Sequence, residues 1–185
     1  MKYLLAVLTV ILGMNLSAQQ TIEGVTLPAT LKVEEKDLVL NGGGLREKYF
    51  LDLYVGGLYL VSKSTDADAI IAADAPMAIR IEIVSKLISS QKMIDAIDDG
   101  MEKATDGKVE GLSSEIAAFK EAFSEEIVVG DVYNIVYSPG MGTVVYKNGK
   151  KIKTIAGLKF KQATFSIWLC DDPADDDLKE GMLKG

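Results

Sequence analysis

The sequence predicts an α+β fold, an antiparallel sheet with helices packed on one face. Three observations carry that prediction. Apolar residues alternate with a period of two early in the chain and again from residue 131 to 155. Over residues 67–73, about 89–104 and 113–123 the spacing changes to three and four, the helical pattern. The segment around Trp168 is then apolar on nearly every side, as a centrally placed helix is. Strands, helices, strands and helix thus come in blocks, without βαβ alternation.

Taken in order, residues 19–30 form a short extended lead. Leu31–Val33 and Asp37–Leu40 read as strands around the charged turn Glu34-Glu35-Lys36. Asn41-Gly-Gly-Gly44 reads as a turn, and Leu45–Leu60 as one long strand interrupted at Gly56-Gly57 by a bulge or a close backbone approach. On that strand Leu45, Tyr49, Leu51, Leu53 and Val55 share one face, and Arg46, Lys48, Phe50, Asp52 and Tyr54 the other. Thr65 or Asp66 caps a short helix over Ala67–Ala73, which Asp74-Ala-Pro76 ends. Met77–Val84 alternates as a half-buried strand.

Ser89 or Ser90 caps a longer helix through Ala104, with Met93, Ile94, Ile97, Met101 and Ala104 as its apolar stripe. A third helix begins at Ser113 and turns Ile116, Phe119 and Phe123 inward. Asp131–Tyr137, Thr143–Tyr146 and Lys150–Ile155 are strands, the last two joined by a tight turn at Lys147-Asn-Gly149. Helices over Lys161–Leu169 and Asp175–Leu183 close the chain.

The 185 residues suit one domain over residues 19–185 behind a leader. Residues 1–18 have the layout of a secretory signal peptide: a basic start at Lys2, an apolar run Leu4–Leu12, and small residues at Ser17-Ala18. The apolar run is shorter than the ~20 residues a spanning helix needs. No later segment is a candidate for an integral membrane span. The expected location is therefore outside the cytoplasm: the periplasm of a Gram-negative source, the medium otherwise. Loss of Lys2 with the leader takes the net charge from −7 to −8. An acidic chain without a basic stripe excludes nucleic acid as the natural partner.

The chain contains no histidine and a single cysteine, Cys170. That excludes Ser–His–Asp and Cys–His catalysis and histidine zinc sites. It also leaves no internal disulfide. The triple glycine lacks the lysine and Ser/Thr of a phosphate loop. Nothing calls for a metal or a cofactor. The remaining candidate chemistry is Arg46, whose planar fork matches a carboxylate, with Tyr54 on the same strand face. Tyr133 and Tyr137, on one strand face, suit either a cleft wall or sheet packing.

Together with their order and spacing, Gly24-Val-Thr-Leu-Pro28, Gly44-Leu-Arg-Glu-Lys48, Tyr54-Val-Gly-Gly-Leu-Tyr-Leu60 and Phe165-Ser-Ile-Trp-Leu169 followed by Asp172-Pro173 resemble the bacterial chalcone-isomerase-like family. The likeness runs over about residues 22–184. It implies an open-faced β-sandwich, a large antiparallel sheet under a helical layer with a ligand cleft between them. Arg46 matches the family arginine, which supports cyclisation in true isomerases and meets the carboxylate in fatty-acid binders. Tyr54 stands where the isomerases carry threonine. Lys92 falls near their helix tyrosine and Asp99 near their asparagine. The arginine is kept and its partners are changed.

The leader and the resemblance together imply an exported, non-catalytic protein that binds a small amphipathic acid such as a fatty acid. Arg46, Tyr54, Lys92 and Asp99 are the expected ligand contacts. The alternatives are an isomerase or intramolecular lyase, with Arg46 and Tyr54 as its catalytic pair, and a cell-envelope interaction module with no ligand.

Overall fold

The computed structural model describes residues 19–185. The expected leader, residues 1–18, lies outside the described residues. Strands β3 (Thr30–Val33), β4 (Lys36–Lys48), β5 (Leu51–Leu60), β6 (Met77–Ile83), β7 (Val132–Ser138), β8 (Gly142–Lys147) and β9 (Lys150–Ile155) form one antiparallel sheet in sequence order. Strands β1 (Gln20–Ile22) and β2 (Val25–Leu27) pair as a separate small hairpin. Helices α1 (Ala67–Ala72), α2 (Ser90–Ala104), α3 (Ser113–Glu121), α4 (Leu158–Leu169) and α5 (Asp176–Met182) complete the chain. The helices pack on one face of the sheet. The α+β expectation and the helical layer both hold.

Period-two alternation splits each strand between two cores. Leu58, Ile79, Ile81, Ile83 and Ile135 turn toward the helices and meet Met93, Ile97, Phe119, Phe123 and Phe165. Val55, Tyr59, Ala78 and Val136 turn the other way and pack with Val25, Leu27, Leu38 and Leu40. Helix α4 is buried at nearly every position from Phe160 to Leu169, which places it at the centre of the helical layer. The caps expected from sequence form. The Asp66 carboxylate accepts from the Ala69 N–H at 2.9 Å, and the Ser89 hydroxyl accepts from the Lys92 N–H at 3.3 Å.

Two expectations are corrected. Asn41-Gly-Gly-Gly44 is the interior of β4, and the run 45–60 is a hairpin that turns at Tyr49-Phe50. The glycines are there for close approach. A Cβ on Gly42 would fall onto the carbonyl oxygen of Gly181, and one on Gly44 would stand 3.2 Å from the Leu178 Cα. A Cβ on Gly56 would stand 2.8 Å from the Met182 Cε. Helix α5 therefore lies directly on the backbones of β4 and β5, which a side-chain-bearing strand would not allow.

Asn41 is the extra residue of a bulge between Leu40 and Gly42. Its buried amide donates to the carbonyls of Met182 (2.7 Å) and Ser64 (2.8 Å), and its oxygen accepts from the Ser64 N–H at 2.8 Å. One side chain thus fastens the end of α5 to the sheet.

Lys161 is a buried cation. Its ammonium donates to the carbonyls of Ile70, Ile71 and Ala73, each at 2.8 Å, where α1 ends. A positive group suits the negative end of a helix. Burial pulls its pKa down to about 8, against the opposing pull of Asp74.

The glycine floor yields a prediction. Gly42→Ala should lower unfolding stability by about 1–3 kcal/mol, because the new methyl has only backbone to displace. Gly111 faces open space at an ordinary φ, so Gly111→Ala should change stability by less than about 0.5 kcal/mol. Urea titration of both variants checks the contrast.

Candidate ligand-binding cleft

Strands β4 and β5 build the floor of a cleft. Their register sets Arg46 directly opposite Tyr54. The register then shifts, so that Glu47 pairs Asp52 and Leu53 is left as the extra residue of a bulge. A bulge changes which residues share a face. Here it brings Leu51, Leu53 and Tyr54 into the same cleft. Ile88, Met93 and Ala96 stand opposite, on α2 and the segment leading into it. The space between has a volume of about 350 Å³.

The polar part of the floor is small and connected. Tyr54 is only 1% exposed, and its hydroxyl accepts from the Trp168 indole N–H at 2.8 Å. The same oxygen accepts a long bond from Arg46 Nη1 at 3.5 Å. The guanidinium carbon lies 5.4 Å from the centre of the Tyr54 ring, within cation–π range. With its oxygen occupied by two N–H donors, Tyr54 keeps its own proton to donate.

Arg46 Nε is buried and has no partner. Among the described residues no carboxylate lies within ion-pair distance of Arg46; the nearby Glu47 and Asp52 do not pair with it. Arg46 as a whole is half-buried and lines the cleft, where a bound anion would supply the charged acceptor it lacks. A second void of about 20 Å³ shares Arg46, Tyr54, Met93 and Ala96 with the cleft and is otherwise lined by Ile97, Phe123 and Trp168 among other core residues.

The family model described as chalcone isomerase-like matches residues 19–184. The chain belongs to the chalcone isomerase-like family. Among solved structures, the chain is similar to a fatty-acid binding protein of Arabidopsis thaliana, with a TM-score of 0.71 and 17% identity. That match covers 90% of this chain and 96% of the other. At that identity the likeness establishes a common fold. The search of curated proteins finds no match.

All of the candidate contacts named from sequence line this one cleft of the chalcone isomerase-like fold. Arg46 and Tyr54 form its floor, and Lys92 and Asp99 its α2 side. Lys92 and Asp99 are exposed. Tyr133 and Tyr137 lie elsewhere. Tyr133 stacks on Phe123 at 4.8 Å, and Tyr137 donates to Asp74 at 2.6 Å. Of the methionine stripe, Met93 reaches the cleft and Met101 is core.

Three features escaped the sequence reading. They are the Trp168 indole that positions Tyr54, the bulge at Leu53, and the contribution of Leu87 and Ile88 ahead of α2. Only Trp168 left a signal, as a polar-tipped aromatic in a helix otherwise fit for burial.

The Trp168–Tyr54 bond generates a prediction. Tyr54→Phe strands the indole N–H and should cost about 1–3 kcal/mol of stability. Adding Trp168→Phe should cost less than the sum of the single changes, because the stranded donor is then gone. Denaturant melts of the two single variants and the double variant measure that coupling.

Proposed function

We propose that this protein is a non-catalytic binder of a small amphipathic acid, with a fatty acid as the favoured ligand, and that it acts outside the cytoplasm. One observation carries the reading: a guanidinium without a carboxylate partner on the floor of a cleft whose inner wall is apolar and whose other charged side chains lie at its exposed edge. The polar groups of that floor are donors. Arg46 offers N–H groups and Tyr54 offers O–H, so the complementary head group is a hydrogen-bond acceptor bearing negative charge. Leu51, Leu53, Leu87, Ile88 and Met93 suit an alkyl tail, methionine and leucine accommodating varied chain shapes. About 350 Å³ lies near the lower end of the roughly 300–1,000 Å³ usual for small-molecule sites. The Arabidopsis protein of the same fold is a fatty-acid binding protein, which supports this reading.

Binding is favoured over cyclisation by what surrounds Tyr54. Its oxygen already accepts from Trp168 and Arg46, and among the described residues no further side chain hydrogen-bonds it. A proton-transfer step needs a second polar group within reach. Lys92, Asp95 and Asp99 line the α2 side and are exposed.

Two measurements test the proposal. In calorimetric titration, Arg46→Ala should weaken decanoate by about 10- to 100-fold, the range for a lost charge-assisted bond. Decanol should weaken by less than about threefold. Each added methylene should tighten wild-type binding by about 0.8 kcal/mol until the cleft is full. Equal losses for acid and alcohol would remove the carboxylate role. For export, the intact mass of protein taken from its own host should correspond to a chain lacking residues 1–18; a full-length mass would refute cleavage.

A further inference from the structure

The hairpin joining β4 and β5 ends in two residues, Tyr49 and Phe50, that pack against no core. Phe50 is 99% exposed and Tyr49 is 84% exposed. Leu51 beside them and Leu87 across the cleft mouth are exposed as well. Both turn residues hold positive φ, 55° at Tyr49 and 63° at Phe50. A two-residue hairpin turn of that kind is normally filled by Asn-Gly, which adopts the left-handed region without strain. Bulky aromatic residues do so at a cost of roughly 1–2 kcal/mol each. The tip therefore carries large apolar side chains against its local backbone preference, with no return from the interior of the fold.

Two further observations say what the tip meets. The patch is continuous with the cleft: Tyr49, Leu51 and Leu87 are also lining residues of its mouth. Its charges are mixed in sign on an acidic chain. Arg46, Lys48 and Lys92 stand among Glu47, Asp52, Asp95 and Asp99, with Asp175 against the Glu47 backbone, while the whole sequence carries −7. The Lys48 ammonium stands 5.9 Å from the Tyr49 ring centre, a cation beside an aromatic as found at the water–lipid boundary. An aromatic projection edged by charges of both signs complements a zwitterionic head-group layer, which also carries both signs. A second acidic copy or a strongly anionic membrane would meet the net negative charge of the rest of the chain.

We propose that the Tyr49–Phe50 tip docks the protein on a zwitterionic lipid surface, with the mouth of the cleft turned toward the bilayer. The apolar rings enter the boundary between head groups and acyl chains. The amphiphile path then runs from the layer past Leu51 and Leu87 to Arg46 without crossing open water. Docking itself depends on the tip and not on what the cleft holds.

The test is co-sedimentation of the full described chain with phosphatidylcholine vesicles, with no fatty acid added, so that failure of the cleft reading leaves it intact. Wild type should sediment with the vesicles. The double change Tyr49→Asn with Phe50→Gly should reduce binding at least about tenfold. Its thermal midpoint should stay equal or rise, since Asn-Gly relieves the turn. Phe50→Asn alone, a change at a fully exposed side chain, should give a smaller loss and guards against misfolding of the double variant. Equal sedimentation of wild type and variants, or none by wild type, would overturn the proposal. So would binding that requires phosphatidylglycerol and disappears at high salt, which would place the contact on the lysines. A wild-type dimer without vesicle binding, dissolved by the tip variants in sedimentation velocity, would make the tip a self-association surface instead.

Discussion

The structure turns on one half-buried guanidinium, that of Arg46, which no carboxylate pairs among the described residues. Everything near it is arranged to keep it there. Tyr54 is set opposite by the strand register and offers its ring and its oxygen. Trp168, from the central helix, holds that oxygen with a 2.8 Å bond. The three side chains come from β4, β5 and α4, which are regular elements and not loops. A site carried on such elements keeps its geometry within narrow limits. An anion entering the cleft would thus meet donors already held in place.

The frame owes its rigidity to contacts that are backbone to backbone. Helix α5 rests on the glycines of β4 and β5, and Asn41 ties its last carbonyl to the same strand. This keeps the carboxy-terminal end of the chain against the hairpin whose outer half forms the cleft. One half of the β4–β5 ribbon is therefore clamped, while the other projects as the floor and tip. The opposite wall is α2, where Met93 and Ala96 face inward and Lys92, Asp95 and Asp99 face water.

Most of this fold was legible in the sequence, because periodicity and capping are local. The strands from β6 onward, the caps at Asp66 and Ser89, and the Asn148-Gly149 turn were all predicted close to their observed positions. The errors share a cause. Gly42, Gly43 and Gly44 read as a turn because the helix that requires them, α5, comes at the far end of the chain. Tyr49-Phe50 read as strand because aromatic residues favour strands, and nothing local announces a turn built from them. Arg46 and Tyr54 were paired by their position on one supposed strand face. They do share a face, but across a hairpin. The bulge at Leu53 and the Trp168 bond depend on long-range pairing that no window of sequence contains. The family resemblance supplied Lys92 and Asp99, which residue patterns alone would leave on a solvated helix.

A crystal structure with decanoate bound tests the central claim most directly. The carboxylate should sit about 2.7–2.9 Å from the Arg46 nitrogens, the usual length of a charge-assisted bond, with Tyr54 donating to it and the tail along Leu51 and Leu53. A carboxylate held at the rim by Lys92, with the tail pointing inward and Arg46 still without a partner, would contradict the account.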